Sequence, residues 1–350
     1  MPRFKPSFLC RQDLNEMKTR IPVFTYHDAV NNTLVWDLSF LARNKYRTLD
    51  ANELHSLSLD GRISAAEKCV VLTFDDARLS CWTVLTPLLN EYQEKVILFV
   101  APNLLTELPG SSRNTSSQEH CSWEQIAAMS TSGLIDIQNH SMEHELIFSG
   151  SEIVDFQHPY GVGHYPFYKS FRDGLLDADS WGTPIFTYAW RGAREEEFIP
   201  SPELTSHCVD FVAENGGRDF FMNRNWRNLL NAHISGFCGK RGEMRRIPFE
   251  RESYIRNSIR SSQKVILEKT GCTPRFFAPP AHSYDALVVK ILKEEGFLGL
   301  FNGGSPSTAD KDGFVIFGRE RKGAPRRLPG KGRETLLMRA MKKVQDVLSR

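Results

Sequence analysis

The stretch that most constrains the fold is an apolar run that ends in two adjacent carboxylates, Val70-Val71-Leu72-Thr73-Phe74-Asp75-Asp76. A short apolar run of this kind predicts a buried strand. Two like charges at its end are costly unless a cation holds one of them or the pair shares a proton. At the carboxyl end of a parallel strand, such a pair faces the crevice in which α/β proteins bind ligands. A helix cap would explain one carboxylate, but it explains two less well.

A second strand-like run, Leu134 to Ile137, leads to His140 and His144. Two histidines four residues apart reach one point if they lie on a helical turn. Together with one carboxylate, they would leave positions on a metal ion open for water and substrate. A lone His-x-x-x-His is a weak signal among ten histidines. Its position after a strand, like that of the aspartate pair, strengthens it.

Thr73-Phe74-Asp75-Asp76 and His140-Ser141-x-x-His144 resemble the first two motifs of the polysaccharide deacetylases, the NodB-homology or carbohydrate esterase 4 family. The resemblance implies an α/β fold, a deformed (β/α)7-type barrel with a large insertion. It implies that Asp76, His140 and His144 hold a divalent metal and that Asp75 is the catalytic base. Zinc is the first expectation for the metal, and cobalt, nickel, manganese and iron are the alternatives.

The segment from Pro274 to Asp285 resembles the third motif of the family. The resemblance implies that Pro280 and the backbone N–H of Ala281 contact the substrate and the oxyanion. Two departures stand out. Ala278 replaces an arginine that steadies the base in the family, and His282 replaces a usual glycine. In the first motif, Ala77 replaces a glycine, at a cost of about 1 kcal/mol if the position needs a positive φ.

The family's last motif, a Leu-x-His that carries the general acid, is not found in the sequence. His282 and His27 are candidates for that role, and a protonated Asp75 could also return the proton. His27 follows the predicted first strand, Ile21 to Tyr26, so it would point into the barrel. A hydrogen-bonded structural role explains His27 equally well.

The predicted organisation has four parts: residues 1–144 as the first part of the barrel, 145–249 as an inserted cap, 250–318 as the second part of the barrel, and 319–350 as a basic segment with a C-terminal helix. We predict two helices in the insert, Glu203 to Glu214 and Phe220 to Asn231. Most of its aromatic side chains would pack its own small core, and stacking on sugars is the alternative.

The C-terminal part begins with seven basic residues against one acid between Arg319 and Arg333. A solvated tail is the expectation, and a grip on a phosphate is the alternative. Glu334 to Arg350 predicts a helix with one apolar stripe, which would dock on the barrel or a second subunit. A membrane-surface helix is the alternative.

Composition excludes several classes of protein. The hydrophobic fraction of 41% and charged fraction of 25% are typical of a globular protein. A net charge of +2 selects no partner, and we predict no nucleic-acid binding. We find no transmembrane segment, and residues 1–19 lack the apolar core of a signal peptide, which predicts a cytoplasmic protein. The seven cysteines are scattered and form no Cys-x-x-Cys pair, so reduced thiols are expected.

The resemblance to the polysaccharide deacetylases implies a metal-dependent hydrolase that removes an N-acetyl or other acyl group from an amino sugar of a polysaccharide or its cytoplasmic precursor. The expected substrate is an N-acylated sugar, free or linked to a nucleotide or lipid. Two alternatives remain: a hydrolase of another non-peptide C–N bond, such as a deformylase or ureide amidohydrolase, and a non-catalytic sugar-binding relative. The sequence does not predict an oligomeric state.

Overall fold

The computed structural model describes residues 21–60, 68–107, 120–160, 181–235, 237, 245–304, 307–320 and 324–334. The chain divides into two compact units. The first unit comprises Met1–His140, Ser262–Ala278 and Gly296–Arg350, and the second comprises Ser141–Ser261 and Pro279–Glu295.

The described residues form strands and helices in alternation along most of the chain. The strands are β1 (Val23–Tyr26), β2 (Arg47–Thr48), β3 (Cys69–Asp75), β4 (Val96–Val100), β5 (Ile135–Asn139), β6 (Leu146–Phe156), β7 (Pro184–Trp190), β8 (Glu196–Ile199), β9 (Arg245–Pro248), β10 (Phe276–Phe277), β11 (Gly299–Gly303), β12 (Thr308–Ala309) and β13 (Val315–Arg319). The α-helices are α1 (Asn31–Arg43), α2 (Ala51–Asp60), α3 (Thr86–Tyr92), α4 (Trp123–Ser130), α5 (Pro202–Glu214), α6 (Trp226–Ser235), α7 (Arg251–Thr270) and α8 (Ala286–Glu294).

The first unit contains a sheet in which seven strands run parallel, in the order β1-β3-β4-β5-β10-β11-β13. The short strand β2 pairs with the start of β3, and β12 runs antiparallel to β13. Directly after β13, Glu320 returns to β1 through a parallel bridge to Phe24, and its N–H donates to the Val23 carbonyl at 2.7 Å. The sheet therefore curls back onto its first strand, and the predicted (β/α)7-type fold is confirmed.

The alternation of side chains along β3 determines where its carboxylate points. All seven residues of β3 are buried, and successive side chains face opposite sides of the sheet. Val70, Leu72 and Phe74 pack with helix residues on the outer side. Val71 packs with Phe99 and Phe317 from other strands. Asp75 shares the face of Val71 and thus points to the inside of the curled sheet.

The helices of the first unit follow the sequence signals, with shifted ends. Ser122 and Gln125 have the spacing that predicts a capping box, and α4 begins there: the Ser122 hydroxyl accepts from the Gln125 N–H, and the Gln125 side chain accepts from the Ser122 N–H. The apolar residues Trp82, Leu85, Leu88 and Leu89 predict one helix from about Ser80 to Glu94, but the structure has a π-helical turn, Cys81–Leu85, followed by α3. No described helix is both long and apolar enough to cross a membrane.

The second unit contains two antiparallel pairs, β6 with β7 and β8 with β9, and the helices α5 and α6. The two helices were expected, but the four strands were not. In β6, the polar stretch Ser149 to Glu152 interrupts the apolar pattern, and the pairing register shifts between Phe148 and Ile153. These irregularities remove the period of two on which strand prediction depends.

Aromatic side chains of the insert pack against one another, as predicted for most of them. Trp226 lies edge-on to Phe221, with ring centroids 4.9 Å apart, and edge-on to Phe156. Phe148 and Phe186 make a similar contact across the β6–β7 pair. Tyr160 is the exception among these residues because it is 69% exposed.

The prediction of a solvated basic tail is wrong for the start of that segment. Arg319 is the last residue of β13, one residue beyond the predicted end of the barrel, and it is buried. Arg326 donates to the buried carboxylate of Asp37 at 2.7 Å, and the Tyr26 hydroxyl donates to the same carboxylate at 2.9 Å. The segment is held because it supplies the cation that a buried aspartate needs.

Some predictions fall outside the described residues. The residues from Pro109 to Glu119 are rich in Ser, Asn and Gly and predict a polar loop, and none of them is described. Of the predicted C-terminal helix, Glu334 to Arg350, Glu334 alone is described.

Candidate active site

The aspartate pair lies at the carboxyl end of β3, where the backbone turns sharply. Asp75 ends the strand, and Asp76 and Ala77 follow with positive φ angles of 70° and 51°. This turn lets two consecutive carboxylates leave the strand in different directions. Both are 2% exposed. Ala77 thus occupies the left-handed conformation that the family's glycine would favour.

Asp75 forms an ion pair with Arg319, which comes from the end of β13. The Arg319 Nη1 atom lies 2.7 Å from Asp75 Oδ1, and both side chains are at most 3% exposed. Burial alone would raise the pKa of Asp75, but the charge of Arg319, followed by those of His140 and His27, outweighs it. The pKa of Asp75 falls to about 2. Asp75 is therefore ionised at neutral pH.

Arg319 supplies the positive charge that is missing at Ala278, the position at which the family resemblance places an arginine. Ala278 is buried and carries no charge, and the cation beside Asp75 comes instead from a different strand. Sequence reasoning missed Arg319 because the residue was counted with the basic tail. A signal was present, however: Val315, Phe317 and Arg319 alternate on one face of a strand, as Val71, Thr73 and Asp75 do.

His140 follows β5 and is fixed by the backbone of β10. Its Nδ1 atom lies 2.6 Å from the carbonyl oxygen of Ala278. A carbonyl can only accept, so Nδ1 carries the proton, and the lone pair of neutral His140 is on Nε2. That atom faces Asp76, with 3.4 Å between Nε2 and Oδ1. Burial opposes protonation of His140, but the carboxylates of Asp76 and Asp75 and the Ala278 carbonyl outweigh burial and raise its pKa.

His144 lies four residues after His140, but the segment between them is not a helical turn. Ser141 and His144 have positive φ angles of 67° and 49°, and the Ser141 hydroxyl accepts from the His144 N–H at 3.1 Å. The predicted helical geometry is therefore wrong, although ligand atoms of Asp76, His140 and His144 lie within 4.8 Å of one another. A tight bend brings the two rings together here.

The residues at this point fit a divalent metal ion. All three are buried, and they offer two imidazole nitrogens and one carboxylate oxygen, a donor set that suits zinc and its first-row neighbours. The bond from His140 Nδ1 to a backbone carbonyl is also the contact that commonly orients a metal-binding histidine. Among the described residues, no other group of this kind was found.

Two further residues near Asp76 were not anticipated from the sequence. Arg78 lies with its Nε 4.0 Å from Asp76 Oδ2. His120 pairs with Arg78 in a β-bridge, and burial and then the charge of Arg78 lower its pKa to about 4. His120 is therefore neutral at physiological pH. Arg78 could have been noticed because it follows Asp76 by two residues, but no local signal connects it to His120.

The remaining predicted residues lie at the ends of other strands. His27 follows β1, is exposed, and its charge acts on Asp75. In the second unit, Pro280, Ala281 and His282 form a 3-10 turn in which Pro280 is buried and Ala281 is exposed. Ala281 and His282 have positive φ angles of 51° and 54°.

Comparisons with known proteins agree with the site. The family model described as polysaccharide deacetylase matches residues 62–155, which include Asp75, Asp76, His140 and His144. Over 238 residues, 63% of this chain and 75% of the relative, the chain is 26% identical to the putative polysaccharide deacetylase YxkH of Bacillus subtilis (strain 168).

Two solved structures share the fold. One is a de-N-acetylase from Aggregatibacter actinomycetemcomitans, with a TM-score of 0.51, 16% identity, and coverage of 92% of this chain and 98% of the other. The second is the BpsB deacetylase domain from Bordetella bronchiseptica, with a TM-score of 0.53, 15% identity, and coverage of 87% and 96%. Residues 62–155, which carry both motifs, therefore match the polysaccharide deacetylases, hydrolases that act on non-peptide C–N bonds, and the chain shares its fold with solved deacetylases.

Proposed function

We propose that this protein is a metal-dependent N-deacetylase that removes the acyl group from an amino sugar of a polysaccharide or its cytoplasmic precursor. The observation that carries this proposal is the buried Asp75–Arg319 pair beside the group formed by Asp76, His140 and His144. An ionised carboxylate with a fixed orientation is what a general base needs, and the three neighbouring residues offer a metal site with open positions.

In this proposal, Asp76, His140 and His144 hold a divalent ion, with zinc as the first candidate. When bound, the ion polarises the amide carbonyl and lowers the pKa of water. Asp75 takes the proton from the attacking water. Because Arg319 binds Oδ1 of Asp75, the second oxygen is the one that accepts this proton. The water oxygen forms the new bond to the carbonyl carbon.

The tetrahedral species then places a negative charge on the former carbonyl oxygen. We assign the N–H of Ala281 as its donor, supported by the exposed, left-handed backbone of that residue. The C–N bond breaks when the nitrogen receives a proton. We assign this step to His27, because it is exposed and its charge reaches Asp75. His282 is the alternative donor.

Arg319 also bears on the alternative of a non-catalytic sugar-binding relative. Two departures from the family pattern favour that alternative, the missing arginine at Ala278 and the missing Leu-x-His. Arg319 supplies a cation in place of the first. The hydrolysis of a formamide or a ureide would use the same residues, so the substrate tested decides between these reactions.

Acetate release from N-acetylated polysaccharides, short glycans, and nucleotide- and lipid-linked amino sugars tests the proposal. We expect metal-loaded wild type to release acetate from a member of this panel and Asp75→Asn to release none while still binding metal. Asp136→Asn is the matched control. Asp136 lies on the same sheet and is half-buried, and it accepts from the Ala51 N–H and the Gln138 side chain.

Acetate release that persists in Asp75→Asn would contradict the assignment of the base. Formate or ammonia from formamide and ureide substrates, with no acetate, would replace the deacetylase proposal with another C–N hydrolase. A wild type that binds no divalent metal would refute the site.

A further inference from the structure

Five cations of the first unit gather around one turn of the chain, far along the sequence from one another. We call them the basic cluster: Arg43, Lys45, Lys68, Lys331 and Arg333. All five are exposed. They come from the end of α1, the start of β3 and the segment after β13. The cluster is thus a product of the tertiary fold.

Asn44 and Tyr46 hold the three segments together. The Asn44 side chain accepts from the Lys331 N–H at 2.6 Å and donates to the Lys331 carbonyl at 3.1 Å. The Tyr46 hydroxyl donates to the carbonyl of Pro329 at 2.8 Å. The Lys68 ammonium donates to the Asn44 carbonyl at 3.0 Å. The backbone that carries Lys331 is therefore fixed beside Arg43 and Lys45.

A glycine makes this approach of the chain possible. A Cβ atom at Gly330 would lie 2.5 Å from the Asn44 side-chain oxygen. The segment therefore sits against α1 at a distance that a larger residue would not allow. Such a close contact is typical of an ordered, packed segment and not of a solvated tail.

Within the ranges that the structure describes, no acidic side chain neutralises the cluster. Among the described residues, none of its five members forms an ion pair with a carboxylate. Glu334, which directly follows Arg333, lies 3.5 Å from Arg326 and 3.3 Å from Arg327. Both of its oxygens are therefore engaged by arginines outside the cluster.

The cluster lies at the opposite edge of the sheet from Asp75. In the register of β2 with β3, Arg47 pairs with Cys69, the first residue of β3, whereas Asp75 is its last residue. The length of β3 separates the two edges by roughly 20 Å, at about 3.3 Å per residue. A ligand of the cluster would therefore leave Asp75 accessible.

Two features favour a membrane over a nucleic acid as the partner. Single-stranded nucleic acids stack on aromatic rings, but the ring of Tyr46 is occupied by Phe40 and by the Lys68 ammonium, 5.5 Å from its centroid. The sequence after Glu334 also carries four cations against one acid, with Leu337, Met341, Val344 and Leu348 at helical spacing. A basic patch next to a basic, apolar-striped sequence is the pattern of proteins that bind anionic lipid.

We propose that the basic cluster docks this protein on an anionic phospholipid surface, with the catalytic edge of the barrel turned away from the lipid. Each cation near such a surface strengthens binding several-fold, and the attraction weakens within a Debye length as salt is added. The proposal does not depend on the substrate of the enzyme.

Co-sedimentation of the full chain with vesicles tests the proposal. We expect binding to vesicles of phosphatidylglycerol and phosphatidylcholine, no binding to phosphatidylcholine alone, and weaker binding at high salt. The double variant Lys45→Glu/Lys331→Glu should reduce binding at least about tenfold. Its matched control is Arg218→Glu/Arg224→Glu, which makes the same charge change at exposed residues of the second unit.

An equal loss of binding in both double variants would mean that net charge acts without a site, and it would overturn the proposal. Unchanged binding in the cluster variant would overturn it too. Competition by free inorganic phosphate at millimolar concentration, or tighter binding to single-stranded DNA than to the vesicles, would show that the cluster is a phosphate or nucleic-acid site instead. Deacetylation of a soluble substrate should be the same in all three proteins if the cluster is separate from the active site.

Discussion

Replacing Arg319 with methionine should destabilise the protein by an amount that follows from the pKa of Asp75. In the folded chain the pKa of Asp75 is about 2, against an ordinary value of 3.8. At about 1.4 kcal/mol for each pH unit, the difference corresponds to about 2.5 kcal/mol that favours the folded state. The loss should therefore be at least about 2.5 kcal/mol at pH 7, because burial then raises the pKa of the unpaired Asp75 carboxylate, and a broken buried pair typically costs about 3–5 kcal/mol.

The direction of the pKa shift of Asp75 also predicts how the stabilisation by the Asp75–Arg319 pair depends on pH. The folded pKa of Asp75 is depressed, so the pair stabilises the protein above pH 3.8 and the contribution is lost as the pH falls through about 2. The difference in unfolding free energy between wild type and Arg319→Met should shrink over that window. In catalysis, the loss of Arg319 should raise the pKa of the base and move the acidic limb of kcat/KM to higher pH.

A double-mutant cycle with Asp75→Asn isolates the pair, measured by urea unfolding of chelator-treated protein so that no metal contributes. We expect a coupling free energy of about 2.5 kcal/mol, because the double variant leaves no buried charge alone. The matched cycle is Asp50→Asn with Lys95→Met, a pair with 2.8 Å between Nζ and Oδ2 but 34% and 24% exposed side chains. Its coupling should stay below about 1 kcal/mol. Equal coupling in the two cycles would refute the argument from burial.

Two further predictions concern the same turn and the metal group. Ala77→Gly should leave the unfolding free energy within about 0.5 kcal/mol, because relief of the positive φ offsets the loss of a buried methyl group, whereas Ala127→Gly in α4 should cost about 1 kcal/mol. A loss at Ala77 as large as that at Ala127 would contradict the strain argument. Zinc at about 100 times its Kd should stabilise wild type by about 2.7 kcal/mol in thermal unfolding. Asp76→Asn should lose this stabilisation while Asp136→Asn keeps it, and an equal shift in all three proteins would place the ion elsewhere.

Much of the fold could be predicted because its signals are local. The apolar run of β3, the capping box at Ser122 and the stop of α7 at Gly271 each depend on residues within a few positions of one another. The strands of the insert could not be predicted, because the irregular pairing of β6 hides its period.

In the candidate site, too, some features could be predicted from the sequence and others could not. The sequence by itself determined which residues come at strand ends: the carboxylates at Asp75 and Asp76 and the imidazoles at His140 and His144. It did not determine the bend that lets the two imidazoles meet, which uses positive φ angles at Ser141 and His144 instead of a helical turn.

Only the tertiary structure decided which cation holds Asp75 and which residues surround Asn44. Arg319 is 244 residues from Asp75, and Lys331 is 287 residues from Asn44. Both contacts depend on the closure of the sheet between β13 and β1, which no local pattern encodes. From the sequence alone, a basic residue in a solvated tail cannot be distinguished from one at the end of a strand. Its role is set by the strand that lies beside it.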